Sequence, residues 1–203
     1  MNLSDARQYA PATQRNREAI LQVLLEVLPP TGTVLEISSG TGEHAVYFAP
    51  RLAARRWQPS DPSDIARSSI AAWREFEPTE NLAAPLNIDA RDAVWNVEDS
   101  ICAIVNINMI HISPWSACLG LMAGANRLLP SGGILYLYGP YQQGGSHTAP
   151  SNEMFDQSLQ LQNPDWGVRH LEEVIAAAQK QNLELLSTIA MPANNLSVVF
   201  QKQ

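Results

Sequence analysis

The chain has 203 residues, of which 45% are hydrophobic, and a formal net charge of −7 at pH 7. These values are ordinary for one globular domain. The 13 basic residues include only two lysines and form no basic run, which argues against binding to nucleic acid phosphates. No apolar run is long enough to span a bilayer, and residues 1–17 lack the apolar core of a signal peptide. We therefore expect a single cytoplasmic domain that acts on a small molecule, with neither nucleic acid nor membrane as a partner.

The first half of the chain predicts alternating helices and strands after a polar start. Residues 1–13 are polar, and we predict that they form a mobile arm of the single domain over 1–203. A stripe of apolar residues at i, i+3, i+4, i+7 and i+8 then predicts a helix. The predicted elements are a helix over 14–28, a strand over 34–37, a helix over 43–55, a strand over 55–58, a helix over 63–76 and a third strand over 86–89.

The second half predicts a central strand over 101–107, because that segment is apolar on both faces. The polar, glycine-rich segment 139–152 predicts a long loop, and such loops are often functional. The remaining predicted elements are a helix over 114–129, a strand over 134–138, a helix over 171–181 and strands over 183–189 and 196–201. Only residues 190–195 join the last two strands, so we expect an antiparallel hairpin. Five β–α units closed by a hairpin predict an α/β fold: a doubly wound, Rossmann-like class I methyltransferase sheet, mostly parallel with a C-terminal antiparallel hairpin.

A glycine loop follows the first predicted strand. Ser38 opens this loop of small residues, and Gly40 and Gly42 allow a ligand to approach the backbone where a Cβ atom would collide. Asp61 lies nineteen residues after Gly42, just beyond the second predicted strand. A carboxylate in that position can accept hydrogen bonds from both ribose hydroxyls of an adenosine. The sequence therefore predicts a site for an adenosine-containing cofactor.

Two cofactors fit this loop. Residues 40–45 match the dinucleotide fingerprint Gly-x-Gly-x-x-(Gly/Ala), which favours a nicotinamide dinucleotide. Residues 36–42 match motif I of the class I methyltransferases, acidic-x-x-x-Gly-x-Gly, which favours S-adenosylmethionine. Glu36 would then face the ammonium group of the cofactor, since an unpaired charge in an apolar strand is costly. The terminal hairpin favours S-adenosylmethionine, and a glycine turn without a ligand remains the third alternative.

Further candidates lie at the carboxyl ends of the strands, where doubly wound sheets bind their ligands. Asp89 is a candidate for the adenine amino group or, equally, for a turn cap. Asn108 and His111 follow the central strand, and Tyr141 follows the next one. All three are candidates for catalytic roles, Asn108 is also a candidate cofactor-binding residue, and Tyr141 could instead only wall the pocket. His111 is a candidate general base that removes a proton as the substrate attacks the methyl group, and a buried structural histidine is the alternative. We predict that Tyr138 only forms part of the pocket wall.

The substrate-binding candidates come from the last third of the chain. Asn152 lies at the end of the predicted loop, and Trp166 follows it. Arg169 is a candidate clamp for an anionic group, or else part of a surface ion pair. Asn194 could contact the substrate or simply serve the turn, because asparagine favours turns. The four histidines and two cysteines show no metal-ligand spacing, and the cysteines indicate reduced core thiols in a cytosolic protein.

Several unusual strings resemble a small methyltransferase-like family that is grouped with the class I S-adenosylmethionine-dependent methyltransferases and has no assigned substrate. The resemblance extends from about residue 15 to residue 202. The strings lie at 15–17 (RNR), 20–21, 35–44 (LEISSGTGEH), 57–61 (WQPSD), 108–114 (NMIHISP), 138–141 (YGPY), 151–156, 163–169 (NPDWGVR) and 191–195 (MPANN). His170 is a departure, because relatives tend to have an acidic residue after the arginine.

The resemblance implies the fold and the cofactor, and Glu36, Gly40, Gly42 and Asp61 occupy family-matching positions. It also implies that the first helix covers the methionine half of S-adenosylmethionine, with Asn16 in the pocket and Arg15 near the cofactor's carboxylate. We therefore predict a methyltransferase for a small molecule. The alternatives are a non-catalytic S-adenosylmethionine-binding module and a nicotinamide oxidoreductase.

Overall fold

The computed structural model describes residues 5–203 and contains six α-helices and eight strands within that range. The helices are α1 Pro11–Val27, α2 Glu43–Phe48, α3 Asp64–Phe76, α4 Trp115–Leu128, α5 Pro150–Gln162 and α6 Leu171–Gln179. The strands are β1 Gly32–Ile37, β2 Arg55–Ser60, β3 Ile101–Ile107, β4 Ile134–Pro140, β5 Gln142–Gln143, β6 Ser146–His147, β7 Leu183–Met191 and β8 Asn195–Lys202. In this described part of the chain, no helix has both the length and the apolar character needed to cross a membrane.

A mixed six-stranded sheet in the order β2-β1-β3-β4-β8-β7 forms the centre of the molecule. The first four strands of this order are parallel, with registers such as Leu35 opposite Ile104. The last two pairings, β4 with β8 and β8 with β7, are antiparallel, so β8 alone runs against the other five strands. The predicted fold class, a mostly parallel doubly wound sheet with a C-terminal antiparallel hairpin, is confirmed.

Apolar side chains pack on both faces of the sheet, as expected for a sheet with parallel central strands. Along β1, Leu35 and Ile37 join the cluster formed with α4 and α6. Val34 points the other way and joins the cluster formed with α1, α2 and Trp57. Because side chains alternate along a strand, Glu36 lies on the same face as Val34, inside the second cluster.

The prediction of a third strand over residues 86–89 is wrong. This part of the chain touches the sheet edge only through isolated parallel bridges, which join Trp57 to Leu82 and Ser60 to Leu86. Pro85 lies between the two bridges and has no N–H group to donate to a ladder. The sheet therefore has four parallel strands, and the segment after α3 runs along its edge as irregular backbone.

The predicted loop over 139–152 is also wrong, because most of it is regular structure. Strand β4 continues to Pro140, β5 and β6 form a short hairpin, and α5 begins at Pro150. Helix α5 was not predicted, because its buried residues are Asn152, Asp156 and Leu159 and the segment therefore lacks apolar periodicity.

The predicted mobile arm lies partly outside the described residues, which begin at position 5. Within them, α1 starts at Pro11, three residues earlier than predicted. The segment before it docks on the body of the protein: the Gln8 N–H donates to Ser69 Oγ at 2.8 Å, and the Trp73 Nε1–H donates to the Gln8 carbonyl at 3.0 Å. The Ala10 N–H donates to the carboxylate of Glu43.

Candidate cofactor and substrate site

The glycine loop after β1 bends sharply, and its two glycines serve different purposes. Gly42 has φ +88°, and a Cβ atom added there would lie 2.9 Å from the Ile70 Cα in α3. It is therefore required for helix packing as well as for the turn. Gly40 has φ +56° and nothing within 4 Å of an added Cβ atom, so its outer side is open. Ser38 has φ +58°, which also marks a left-handed turn at the end of the strand.

Asp61 follows β2 directly and joins the glycine loop to the start of α3. Its Oδ2 accepts a hydrogen bond from the Gly40 N–H at 3.0 Å, and its Oδ1 accepts one from the Ser63 N–H at 2.9 Å. The carboxylate is thus held beside the loop, at the carboxyl end of a parallel strand, as predicted for a ribose-binding residue. Its neighbour Pro62 lines the smaller of the two cavities described below.

Glu36 does not point toward a ligand site. Its side chain is buried, and its Oε2 accepts a hydrogen bond from the indole Nε1–H of Trp57 at 3.0 Å. Burial raises the pKa of Glu36 to about 7, against the lowering effect of the Trp57 hydrogen bond. The expected contact with a cofactor ammonium group is not supported, because the side chain faces the core between β1 and β2.

A large open cavity of about 520 Å³ lies beyond the carboxyl ends of β3 and β4. Its walls are formed by the first part of α1, the first part of α5 and the tip of the β7–β8 hairpin. The thirteen lining residues are Ala12, Arg15, Asn16, Asn108, Tyr138, Pro140, Ser151, Asn152, Phe155, Pro192, Ala193, Asn194 and Asn195. Five site residues predicted from separate parts of the sequence therefore lie together: Arg15, Asn16, Asn108, Asn152 and Asn194.

A partly buried histidine fixes the orientation of the Asn16 amide. His44 Nε2 lies 2.9 Å from Asn16 Oδ1. Burial, and secondarily the charge of Arg17, lower the pKa of His44 to about 3, so the ring is neutral and its Nε2–H donates to the amide oxygen. Burial raises the pKa of Tyr138, and a hydrogen bond with the Asn16 side chain offsets part of that rise. The sequence analysis missed this role of His44, although the residue lies right after the glycine loop.

The far wall of the large cavity is built by hydrogen bonds between α5 and the hairpin tip. Asn152 Nδ2 donates to the Asn194 carbonyl and to Thr148 Oγ1, both at 2.9 Å. Asn194 Nδ2 donates to Ser151 Oγ at 3.1 Å. Ala193 and Asn194 both have left-handed backbones, with φ values of 56° and 58°, and backbone strain of this kind concentrates at functional sites. Asn194 thus serves the turn and also lines the cavity.

A smaller cavity of about 170 Å³ lies on the other side of the turn after β3. Its lining residues are Ser38, Pro62, Asp89, Ala90, Arg91, Met109, Ile112, Ser113, Pro114, Ala117 and Trp166. Trp166, predicted to bind the substrate, lies here and not in the large cavity. Asp89 both lines the cavity and caps a turn, since its Oδ1 accepts from the Arg91 N–H at 2.9 Å.

The turn that follows β3 lies between the two cavities. Asn108 lines the large cavity and the next residue, Met109, lines the small one. Asn108 has φ 64°, and its N–H donates to the Tyr138 carbonyl at 2.8 Å. The left-handed residue therefore turns the chain at the boundary between the cavities.

The predicted catalytic roles of His111 and Tyr141 are not supported, because both side chains are fully buried and line neither cavity. Their rings pack edge to face with centroids 5.1 Å apart. His111 Nδ1 accepts from the Arg169 N–H at 3.3 Å, and a Cβ atom added at Gly139 would lie 2.4 Å from His111 Nε2. Burial lowers the pKa of His111 to about 3. The structural alternative fits these observations.

Arg169 is not free to clamp a substrate. Its guanidinium donates to the carbonyls of Ile110 at 2.9 Å, Ser113 at 2.7 Å and Asp165 at 2.8 Å. These three contacts hold the turn after β3 against the segment that carries Trp166. Arg169 therefore supports the wall of the small cavity from behind.

The sequence model of the family described as "Protein of unknown function (DUF938)" matches residues 7–202. The chain belongs to this DUF938 family. The family resemblance inferred from the sequence strings is therefore confirmed over nearly the whole chain. Within residues 5–203 of this DUF938 member, no three His, Cys, Asp or Glu side chains are grouped so that they could hold a metal ion.

Solved structures with the same fold include several methyltransferases. An O-methyltransferase family protein from Burkholderia thailandensis matches with a TM-score of 0.79 and 13% identity, over 95% of this chain and 57% of that one. The mitomycin 7-O-methyltransferase MmcR matches at 0.78 and 11% identity, over 95% and 54% of the two chains. CalO1, a methyltransferase in calicheamicin biosynthesis solved in its SAH-bound form, matches at 0.72 and 15% identity, over 91% and 54%. The DUF938 chain thus has a methyltransferase fold and spans little more than half the length of these proteins.

Proposed function

We propose that this DUF938 protein is an S-adenosylmethionine-dependent methyltransferase with a small-molecule acceptor. The observation that carries the proposal is a pair of cavities beyond the carboxyl ends of parallel strands, lined by the adjacent residues Asn108 and Met109. In doubly wound sheets this edge binds the ligand. A small cavity for a nucleoside next to a large one for a second molecule is the arrangement that group transfer requires.

The residues around the two cavities fit the parts of S-adenosylmethionine. In our proposal Ser38 and Asp89 contact the adenine in the small cavity, and Asp61 accepts hydrogen bonds from the ribose. Gly40 leaves open space beside the loop, where the chain of the cofactor can pass. Arg15 and Asn16 hold the carboxylate of its methionine half in the large cavity. The cofactor supplies a methyl group on a positively charged sulfur.

The remaining space in the large cavity holds the acceptor. Asn108, Asn152 and Asn194 offer amide groups to orient it, and Tyr138 supplies an aromatic wall. Correct orientation of two reactants can lower a barrier by about 7–11 kcal/mol. Asn108 lines the large cavity beside Met109 of the small one and is our candidate for the residue next to the transferred methyl group.

A non-catalytic S-adenosylmethionine-binding module is a second candidate, favoured by one observation. His111 and Tyr141, the side chains predicted to take part in catalysis, are enclosed away from both cavities. Such a module would bind the cofactor without turnover. The nicotinamide oxidoreductase considered from the glycine loop is less well supported, since the sheet ends in an antiparallel hairpin.

Calorimetric titration with S-adenosylmethionine, S-adenosylhomocysteine and NAD tests the proposal. We expect micromolar binding of both adenosyl compounds, weakened at least about tenfold in Asp61→Asn because the ribose loses a charged acceptor. Asp64→Asn is the matched control, because Asp64 lies three residues away with its side chain 91% exposed. Binding of NAD alone, or of none of the three, would overturn the proposal.

A further inference from the structure

We propose that the acceptor enters the large cavity already as an anion, as a small thiolate, carboxylate or acidic phenolate with an apolar body. This inference rests on the proposed methyltransferase function and narrows its substrate class. It follows from three features: the chemistry of the lining residues, the hydrogen bonds that the nearby titratable groups already make within the protein, and the charge balance of methyl transfer.

The lining of the large cavity offers no base. Of its described residues, Arg15 alone is charged at neutral pH, and none carries a carboxyl, imidazole, thiol or amine group. Tyr138 is the other titratable side chain, and burial keeps its hydroxyl protonated by raising its pKa. An acceptor that must lose a proton during the reaction would find no group beside it to take that proton.

The titratable groups just behind the cavity are already bonded within the protein. His44 uses Nε2 to donate to Asn16. His111 uses the lone pair of Nδ1 to accept from the Arg169 N–H at 3.3 Å, so its neutral ring carries the proton on Nε2, the unpartnered nitrogen beneath Gly139. The Glu43 carboxylate accepts from the Ala10 N–H and from the Thr41 hydroxyl. For any of these groups to take up a proton from the acceptor, one of these partly buried hydrogen bonds would have to be rearranged, and a buried polar group left unpaired costs about 1–3 kcal/mol.

The charges in the loaded site also favour an anion. S-adenosylmethionine carries a sulfonium, an ammonium and a carboxylate, so its net charge is positive. Arg15 adds a second positive charge, and none of the five ion pairs among the described residues includes it. In the loaded site Arg15 faces the cofactor's carboxylate, so the sulfonium and ammonium charges are left to attract the acceptor. Opposite charges attract more strongly where water is partly excluded, so the site attracts an anion and repels a cation.

Methyl transfer to an anion needs no proton acceptor. A lone pair of the anionic sulfur or oxygen forms the new bond to the methyl carbon, and the electron pair of the carbon–sulfur bond goes to the sulfonium sulfur. The anion and the sulfonium become a neutral methylated product and a neutral thioether. A neutral amine would instead become a cation that must lose a proton. Phe155, Pro140 and Tyr138 fit the apolar body of the acceptor.

Equilibrium binding of three matched probes, benzoate, benzamide and benzylamine, tests the inference. In cofactor-free protein we expect benzoate to bind about fivefold more tightly than benzamide, a preference of about 1 kcal/mol from the exposed Arg15, and benzylamine to bind weakest. Arg15→Gln removes the preference for benzoate. Arg17→Gln leaves it unchanged, because Arg17 lies on the same helix but over the Tyr47 ring, 4.4 Å from its centroid.

The same titrations with S-adenosylmethionine present separate this inference from the proposed function. We expect the benzoate preference to persist with the cofactor bound, because Arg15 then faces the cofactor's carboxylate and the sulfonium and ammonium charges attract benzoate. Failure of the cofactor to bind would overturn the function, while the cofactor-free arm still decides whether the cavity prefers anions. Equal or tighter binding of benzylamine overturns the inference, and so does methyl transfer from S-adenosylmethionine to benzylamine faster than to 4-nitrothiophenol.

Discussion

The carboxyl group of Glu36 lies inside the core and is only 2% exposed. Its Oε2 accepts from the Trp57 indole, and burial raises its pKa to about 7. The folded protein therefore holds this proton more tightly than the unfolded chain, whose glutamate pKa is about 4.3. The contribution of this pKa shift to the free energy of unfolding is therefore fully present below about pH 4 and is lost as the pH rises through 7.

Glu36→Gln tests this linkage. Glutamine keeps an oxygen that can accept from Trp57 and removes the cost of a buried charge. We expect the variant to gain stability relative to the natural protein as pH rises from 4 to 8, by up to about 3 kcal/mol. Urea unfolding at a series of pH values measures the difference, and Glu26→Gln at an exposed site is the control. A difference that does not vary with pH would contradict the account.

Single residues also show where sequence reasoning stopped. Asp61 and Asn108 were placed correctly because each follows a strand whose end is visible in the pattern. Glu36 was assigned a ligand because its partner, Trp57, lies on a neighbouring strand that the sequence does not mark as its contact. The three partners of Arg169 are backbone carbonyls, and carbonyl partners leave no trace in a sequence.

At the scale of elements, the turn between β1 and α2 is fixed by packing against α3. Parallel strands and the terminal hairpin were predictable from apolar runs and from the length of their connection. The irregular structure of the segment after α3 was not predictable from apolar runs. Residues 86–89 resemble a strand, but Pro85, directly before them, cannot donate to a strand ladder. Helix α5 was missed because two of its three buried side chains are polar. Asn152 contacts the hairpin tip and Asp156 accepts from the Val168 N–H, so the helix is held by contacts with later parts of the chain.

Gly42→Ala tests the packing of the glycine loop on α3. The added methyl group would lie 2.9 Å from the Ile70 Cα at a φ of +88°, so both backbone strain and a backbone clash oppose it. We expect a loss of about 2–4 kcal/mol in the free energy of unfolding. Gly132→Ala has a similar φ of +83° but open space around the added atom, and we expect a loss of about 1 kcal/mol. Equal losses in thermal or urea unfolding would refute the packing argument.

At the scale of the whole molecule, the charge of the site is opposite to that of the chain. The net charge is −7, yet the large cavity is lined by one arginine and, among described residues, by no carboxylate. The acidic surface therefore favours solubility, and the charge that acts on a ligand is the local charge of the cavity. The arrangement depends on the fold, since α1, α5 and the hairpin tip come from the start, middle and end of the chain.

The structure of the protein bound to S-adenosylhomocysteine tests the central claim most directly. We expect the adenine in the small cavity beside Asp89, the ribose hydroxyls at Asp61 and the carboxylate near Arg15, so that the ligand passes the turn at Asn108 and Met109. The sulfur would then face the open part of the large cavity. Binding that leaves the small cavity empty, or a ligand that does not reach across this turn, would contradict the proposed two-cavity site.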